Sequence, residues 1–335
     1  MPSSISSSSS GSWVLSWILV AAICGGSLAA YEVFLKHRDF TASIENNRNL
    51  WSWYRGKIQD KPQALVIVGA SRSQLGINIP FLKEKFSESD VTQLSINGQY
   101  PMATLKALAD DEQFSGTAIV SFSAQALESR YLEMQQGHNQ YYAGQSSFNK
   151  SLDAYLAGFL QSKLRFLHPL LGAQDIVEFY ALNKRFKEAF YTSAHLDQSV
   201  SADYSKTDVE VLLTHFVNDK QQNYNNDPPT AIPQWAQNIQ LIKDYSNAIK
   251  SRGGSVILVR FPTAKGHWRL DEQYYPRSQY WDLIAREADI ATVHFNDVSG
   301  LKQINLPDST HVDQKDTAKF TDILFDHLID RGYLN

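Results

Sequence analysis

The chain has 335 residues and a formal net charge of −4, with a pI near 6.1. That balance leaves no electrostatic footprint for a nucleic-acid partner. Hydrophobic residues make up 43% and aromatics 12%, ample for a packed core, and the length suits one large domain or one domain with an insertion. The single cysteine, Cys24, lies in an apolar N-terminal stretch, which excludes an intrachain disulfide framework and a cysteine metal site.

Residues 1–11 are Ser-rich and uncharged and read as a disordered lead-in. Residues 12–35 carry Trp13, Trp17, Ile18, Leu19, Val20, Ile23, Leu28, Val33 and Phe34, with Glu32 the one charged residue. Such a run is long enough to span a bilayer as a helix. Trp13 and Trp17 near one end and Tyr31 near the other suit the interfacial belts. A cleaved signal peptide, with Ser27-Leu-Ala29 as its small-residue site, is the alternative. No basic residue precedes the apolar run, and the run continues past Ala30, which favours a single-pass anchor. Lys36, His37 and Arg38 follow it, and charge bias alone would place the C-terminal domain in the cytoplasm. Residues 36–61, with Trp51, Trp53 and Tyr54, read as a juxtamembrane helix whose aromatics rest on lipid or pack on the domain.

Residues 64–68, Ala-Leu-Val-Ile-Val, form an apolar β-branched run typical of a buried parallel strand. Gly69 and Ala70 follow, then Ser71, Arg72 and Ser73. Ser71 is thus expected just past the carboxyl end of a strand, where open α/β sheets bind ligands. A hydroxyl there serves as a nucleophile when a histidine reaches it; the plainer alternative is a helix cap. A candidate histidine stands near the C-terminus, in Leu306-Pro-Asp-Ser-Thr-His311. Asp308 and His311 are three residues apart, just before a helical pattern over 314–328. The carboxylate can orient the imidazole as a general base.

Further strands are expected at 91–96, 117–122, 255–261 and 291–295. Helical patterns follow Asn78, run through Leu105 and Leu108, and recur at 152–171, 176–190, 235–251 and 281–288. Asn223 to Pro233 reads as a loop, and residues 127–251 as a helical insertion, either a lid or a cover for the sheet. Strands alternating with helices imply an α/β parallel sheet with helices on both faces. His267 is a second candidate histidine without an acid at suitable spacing.

An apolar strand ending in Gly69-Ala-Ser-Arg72, with Asp308-Ser-Thr-His311 before the last helix, resembles the SGNH (GDSL-like) hydrolase superfamily. Within it, the chain resembles membrane-anchored bacterial envelope proteins related to alginate-type O-acetyltransferases. The resemblance covers residues 64–119 and 255–328 and implies an SGNH/flavodoxin-like three-layer domain over 62–330. It implies Ser71 as nucleophile, His311 as base and Asp308 as its orienter. It further implies that Gly98, beside Asn97, lends its N–H to the oxyanion hole, and that the domain is periplasmic. The superfamily's Gly-x-Asn-Asp block is absent, and Ser121-Phe-Ser-Ala-Gln125 stands there instead. Ser123 or Gln125 is the substitute on offer. Arg72, Ser123 and Arg260 are the substrate-binding candidates, with a structural salt bridge as the alternative for Arg260.

No phosphate-binding loop, dinucleotide fingerprint or zinc motif is present in the sequence, so neither a cofactor nor a metal is expected. The expected function is a membrane-anchored serine esterase or O-acyltransferase acting on polysaccharide esters. The lipid bilayer and a membrane-bound acyl-donor protein are its expected partners. The alternative is a non-catalytic SGNH-like module that binds glycan or bridges an envelope complex.

Overall fold

The structure, a computed structural model, describes residues 10–334. In chain order, helices α1 (Ser10–His37) and α2 (Arg48–Gly56) precede strand β1 (Ala64–Val68). Helices α3 (Ser71–Gly76) and α4 (Ile79–Lys85), strand β2 (Asp90–Gln93), helix α5 (Met102–Asp110) and strand β3 (Thr117–Ser121) follow. Helices α6 (Gln136–Gly144), α7 (Phe148–Gln161) and α8 (Ala173–Asn183) come next, then the short strands β4 (Thr192–Ala194) and β5 (Val200–Ala202). After them come α9 (Val209–Asn226), α10 (Ile232–Ala236), α11 (Ile239–Lys250), β6 (Ser255–Arg260) and α12 (Lys265–Tyr274). The chain closes with α13 (Trp281–Glu287), β7 (Ala291–His294), α14 (Ser299–Lys302) and α15 (Thr317–Asp330). Its described residues divide into two compact units, 10–45 with 160–190, and 46–159 with 191–334.

The larger unit is built on a five-stranded sheet among the described residues, in the order β2-β1-β3-β6-β7, with every pairing parallel. This is the flavodoxin-like order of a doubly wound sheet, and it reverses direction between β1 and β3. All five residues of β1 are buried, because helices cover both faces. On one face Leu65, Ile67, Ile119, Ile257, Val259 and Val293 pack with Phe320, Leu324 and Leu328 of α15. Alternation turns Val66, Val68, Ala118, Val120 and Leu258, all buried, to the opposite face, where α11 contacts β6 and α5. The α/β parallel sheet expected from the apolar runs is the architecture observed.

The smaller unit contains α1, which is long and apolar enough to cross a membrane and carries exposed Trp13, Leu15, Trp17, Ile18 and Ile23. Near its C-terminal end Leu35 and Phe40 bury against Leu171, with Phe166, Ile176, Phe186 and Phe190 around them. Residues 1–9 of the expected lead-in lie outside the described residues, and Ser10 and Gly11 belong to α1.

The stretch between β3 and β6 differs most from its sequence reading. Helix α7 stops at Gln161 rather than Leu171. Pro169 lacks an N–H and forces His168 into extended backbone, which a helix over 152–171 cannot accept. Helix α8 ends at Asn183, where Lys184 turns left-handed at φ 54°, so the expected helix to Phe190 is cut short. The antiparallel pair β4–β5 was not anticipated. Helix α9 reaches Asn226, which shrinks the expected loop, and α10 and α11 divide the expected helix over 235–251.

His294, at the end of β7, is buried, and its Nδ1 accepts the N–H of Asn296 at 3.1 Å. Burial, with Arg260 and Arg277 nearby, holds it down to about 3. Its neutral form therefore stabilises the fold above the ordinary histidine range. The unfolded chain takes up that proton as pH falls below about 6.5, and the native chain does so only near 3. Each pH unit in that window costs up to ~1.4 kcal/mol for this group. Urea unfolding at pH 7, 6 and 5 should show stability falling with acid, and His294→Gln should flatten the slope by one proton's worth.

Candidate active site

Gly69 ends β1 where the backbone comes within reach of β3: a Cβ there would lie 2.7 Å from Cβ of Ser121. Only glycine permits that approach. The chain then turns directly into α3. Ala70 holds the cap position and makes no side-chain cap bond, so the alternative reading of Ser71 as a mere helix cap does not describe its side chain. The Ser71 hydroxyl instead lies 2.8 Å from Nε2 of His311.

His311 reaches it from a loop between β7 and α15. Its Nδ1 is 2.8 Å from Oδ2 of Asp308. The other carboxylate oxygen, Oδ1, accepts the backbone N–H of Thr310 at 2.9 Å and of His311 at 2.8 Å. The Tyr204 hydroxyl donates to Oδ2 at 2.6 Å. Burial pushes the Asp308 carboxyl up, but the hydrogen bonds and charge of His311 and the bonds from Tyr204 and Thr310 outweigh it and bring the group down to about 2. An ionised carboxylate only accepts, so the proton of His311 sits on Nδ1 and Nε2 is left to accept the Ser71 hydroxyl.

The loop over 308–311 is tied down on every side. Ser309 adopts a left-handed φ of 71°, its carbonyl accepts the N–H of Ala264 at 2.8 Å, and its hydroxyl meets Nδ1 of His267 at 2.6 Å. Burial first, then Arg72, lowers His267 to about 4. This neutral histidine is committed to Ser309, so Ser71 has His311 as its partner. Arg72 donates from Nε to Oγ1 of Thr310 at 2.9 Å and so links α3 to the same loop.

A cavity of ≈ 710 Å³ opens over Ser71 and His311. Arg72, Asn97, Gly98, Ser123, Gln125 and Lys220 are among its walls. Gly98 has a left-handed φ of 71°, the conformation glycine accepts at least cost, and among the described residues its N–H has no acceptor. Ser71 opens α3, so its own N–H is one of the unpaired first-turn donors. Buried Gln135 bonds the carbonyl of Gly69 at 2.8 Å and that of Gln99 at 3.0 Å, which pins the Asn97–Gly98 turn to the nucleophile turn. Lys220 donates to Oε1 of Gln125 at 2.6 Å. Lysine has no acceptor, so this bond fixes which way the amide faces.

Arg260 corrects its expected place among the substrate-binding residues. It is buried and donates to Oδ2 of Asp271 at 2.7 Å and to the carbonyl of Phe261 at 2.6 Å. Its charge is spent inside the fold, and it is not a wall of the cavity over Ser71. Tyr204, Gln135 and Lys220 were missed in the sequence. Phe216, whose ring lies edge-on to His311 at 6.0 Å, was missed as well, although Asp208 as a cap and Val209, Leu212, Phe216 and Val217 at helical spacing signalled the helix that carries it. Among the described residues no three His, Cys, Asp or Glu side chains group as a metal site.

No protein-family model matches the chain, and no curated protein matches it. Among solved structures, a crystal structure of TesA aligns with 79% of this chain and 98% of its own, at 12% identity and a TM-score of 0.34.

Tyr204→Phe removes one donor from a buried carboxylate, a loss of about 1.5–3 kcal/mol for a bond to a charged group. The stabilising contribution of Asp308 is complete above the ordinary carboxylate range and disappears as pH falls through about 2. With the donor gone, Asp308 should titrate higher and acid unfolding should begin at higher pH. Circular dichroism between pH 5 and 2 measures both effects.

Proposed function

We propose that the protein is a membrane-anchored serine esterase or O-acyltransferase that acts on acyl esters of an envelope or extracellular polysaccharide. The observation that supports this most directly is the continuous hydrogen-bonded path from Ser71 through His311 to Asp308. It sits outside the carboxyl ends of β1 and β3, at the point where the strand order reverses.

In this reading the Ser71 oxygen attacks the ester carbonyl carbon while Nε2 of His311 takes its proton. Asp308 stabilises the imidazolium that results. The tetrahedral oxyanion rests on the N–H groups of Ser71 and Gly98, which are set before the charge appears. Collapse breaks the ester bond, and His311 returns the proton to the departing alkoxide. The acyl group now sits on Ser71. Water gives hydrolysis and a sugar hydroxyl gives transfer, each activated by the same histidine. Tyr131, Tyr191 and Phe216 among the cavity walls offer flat apolar surfaces suited to sugar rings. The apolar α1 carries the anchor, and the catalytic unit works outside the cytoplasm, with a membrane-bound acyl donor beside it when the reaction is transfer.

The second reading is a non-catalytic glycan-binding module. The absence of the Gly-x-Asn-Asp block from the sequence favours it.

Full-length protein in detergent, given p-nitrophenyl acetate, separates the two. The esterase reading expects turnover or an acetyl-enzyme burst, with kcat/KM reduced at least about 10³-fold in Ser71→Ala and His311→Ala. Folded wild-type protein that neither turns over nor becomes acylated supports the module. Added sugar acceptors that raise the rate of p-nitrophenol release identify transfer.

A further inference from the structure

The segment that folds back onto the end of α1 carries an apolar side with no covering within its unit. We propose that residues 160–190 form a collar in the interfacial layer of the bilayer that α1 enters, with Leu170 and helix α8 seated among the lipid headgroups through Val177 and Tyr180. The proposal rests on the reading of α1 as a membrane span.

The depth of this segment follows from α1. Trp13 to Tyr31 covers 18 residue steps, or about 27 Å at 1.5 Å per residue, close to a hydrocarbon thickness of about 30 Å. Glu32 is the first carboxylate in α1, and a charge of that kind marks the edge of the hydrocarbon. That edge is where the segment attaches. Arg165 pairs with Glu32 at 2.8 Å, the N–H of Phe166 bonds the same carboxylate at 3.1 Å, and Nε of Arg165 donates to the carbonyl of Phe40 at 2.8 Å. Phe186 meets Phe34 edge-on at 5.2 Å, and Leu171 and Ile176 pack on Leu35 and Phe40. The collar is therefore fixed to the last turns of α1, at headgroup depth.

What it presents there is apolar. Val177 is 67% exposed, Tyr180 56% and Leu170 54%. Val177 and Tyr180 are three residues apart and lie on one side of α8, next to Ile176, which faces the cluster. In water this arrangement leaves Leu170, Val177 and Tyr180 uncovered. In the interface a tyrosine ring and aliphatic side chains are at their preferred depth. Exposed Lys36, Arg38 and Lys184 flank the same end of α1 and follow α8, a charge that complements anionic lipid, while Arg185 is paired with Glu188. A collar of this kind would hold the anchor at a fixed angle where it leaves the bilayer.

The test uses full-length protein in vesicles of phosphatidylethanolamine and phosphatidylglycerol, with an environment-sensitive fluorophore on single cysteines. Native Cys24, near the middle of α1, reports the span. Val177→Cys and Tyr180→Cys, each in a Cys24→Ser background, report the collar, and Glu287→Cys, exposed on the larger unit, is the aqueous control. The expected result is quenching at positions 177 and 180 by a nitroxide near the lipid headgroup, at least about twofold above position 287, with protection from aqueous iodide. Iodide quenching at 177 and 180 equal to that at 287, with Cys24 quenched by a deep-chain nitroxide, overturns the collar and leaves the span standing. A Cys24 label not quenched by lipid removes the span and the collar with it.

Discussion

The charge of Asp308 is the constraint on which the site depends. A buried carboxylate is costly unless its oxygens are met by donors. Here two backbone N–H groups, one tyrosine hydroxyl and one imidazole meet it. Satisfying that charge has three consequences at once. It closes the backbone of residues 308–311 into a tight loop. It commits the His311 proton to Nδ1. It leaves Nε2 facing the hydroxyl of Ser71, where a basic nitrogen is useful. The same bonds that settle the electrostatics of the loop also set the chemical polarity of the site.

The groups of the site come from distant parts of the chain, and the sheet brings them together. Ser71 and His311 are 240 residues apart in sequence. They meet because β1 is an interior strand of a parallel sheet, and the segments leaving the carboxyl ends of its strands gather at one edge of the domain. Gly69 allows β1 to turn sharply beside β3. Gln135 then ties that turn to the Asn97–Gly98 turn, so two unpaired N–H groups flank the serine rather than drifting as separate loops. Arg72 bridges to Thr310 and joins the first of these turns to the last loop. The position of each group is thus over-determined by hydrogen bonds that belong to the scaffold, an arrangement suited to preorganised electrostatics.

The strands were legible because their signal is local. β1, β3 and β6 are short apolar runs bounded by small or polar residues, and their burial on both faces leaves little else those residues could form. Ser71, Asp308 and His311 were legible by type and position relative to strand and helix ends. The groups that complete the site were not, since their roles exist only across long separations: Tyr204 lies 104 residues from Asp308 and Gln135 lies 66 from Gly69. The fate of Arg260 turned on Asp271, one helix later, whose carboxylate takes up the guanidinium inside the fold. Strands β4 and β5 are three residues each, too short for an alternating pattern to declare itself. Pro169 bars a continuous helix through His168 to Leu171 and the left-handed turn at Lys184 stops α8, whereas the apolar spacing continues past both.

The most direct measurement is covalent. An alkyl fluorophosphonate should add one phosphonyl group to the folded full-length protein, with intact mass and peptide mapping placing it on Ser71. It should fail to label Ser71→Ala, and label His311→Ala far more slowly, because the serine then has no base. A folded wild-type protein that stays unlabelled, or one labelled equally fast without His311, would contradict the account of Ser71 as a histidine-activated nucleophile.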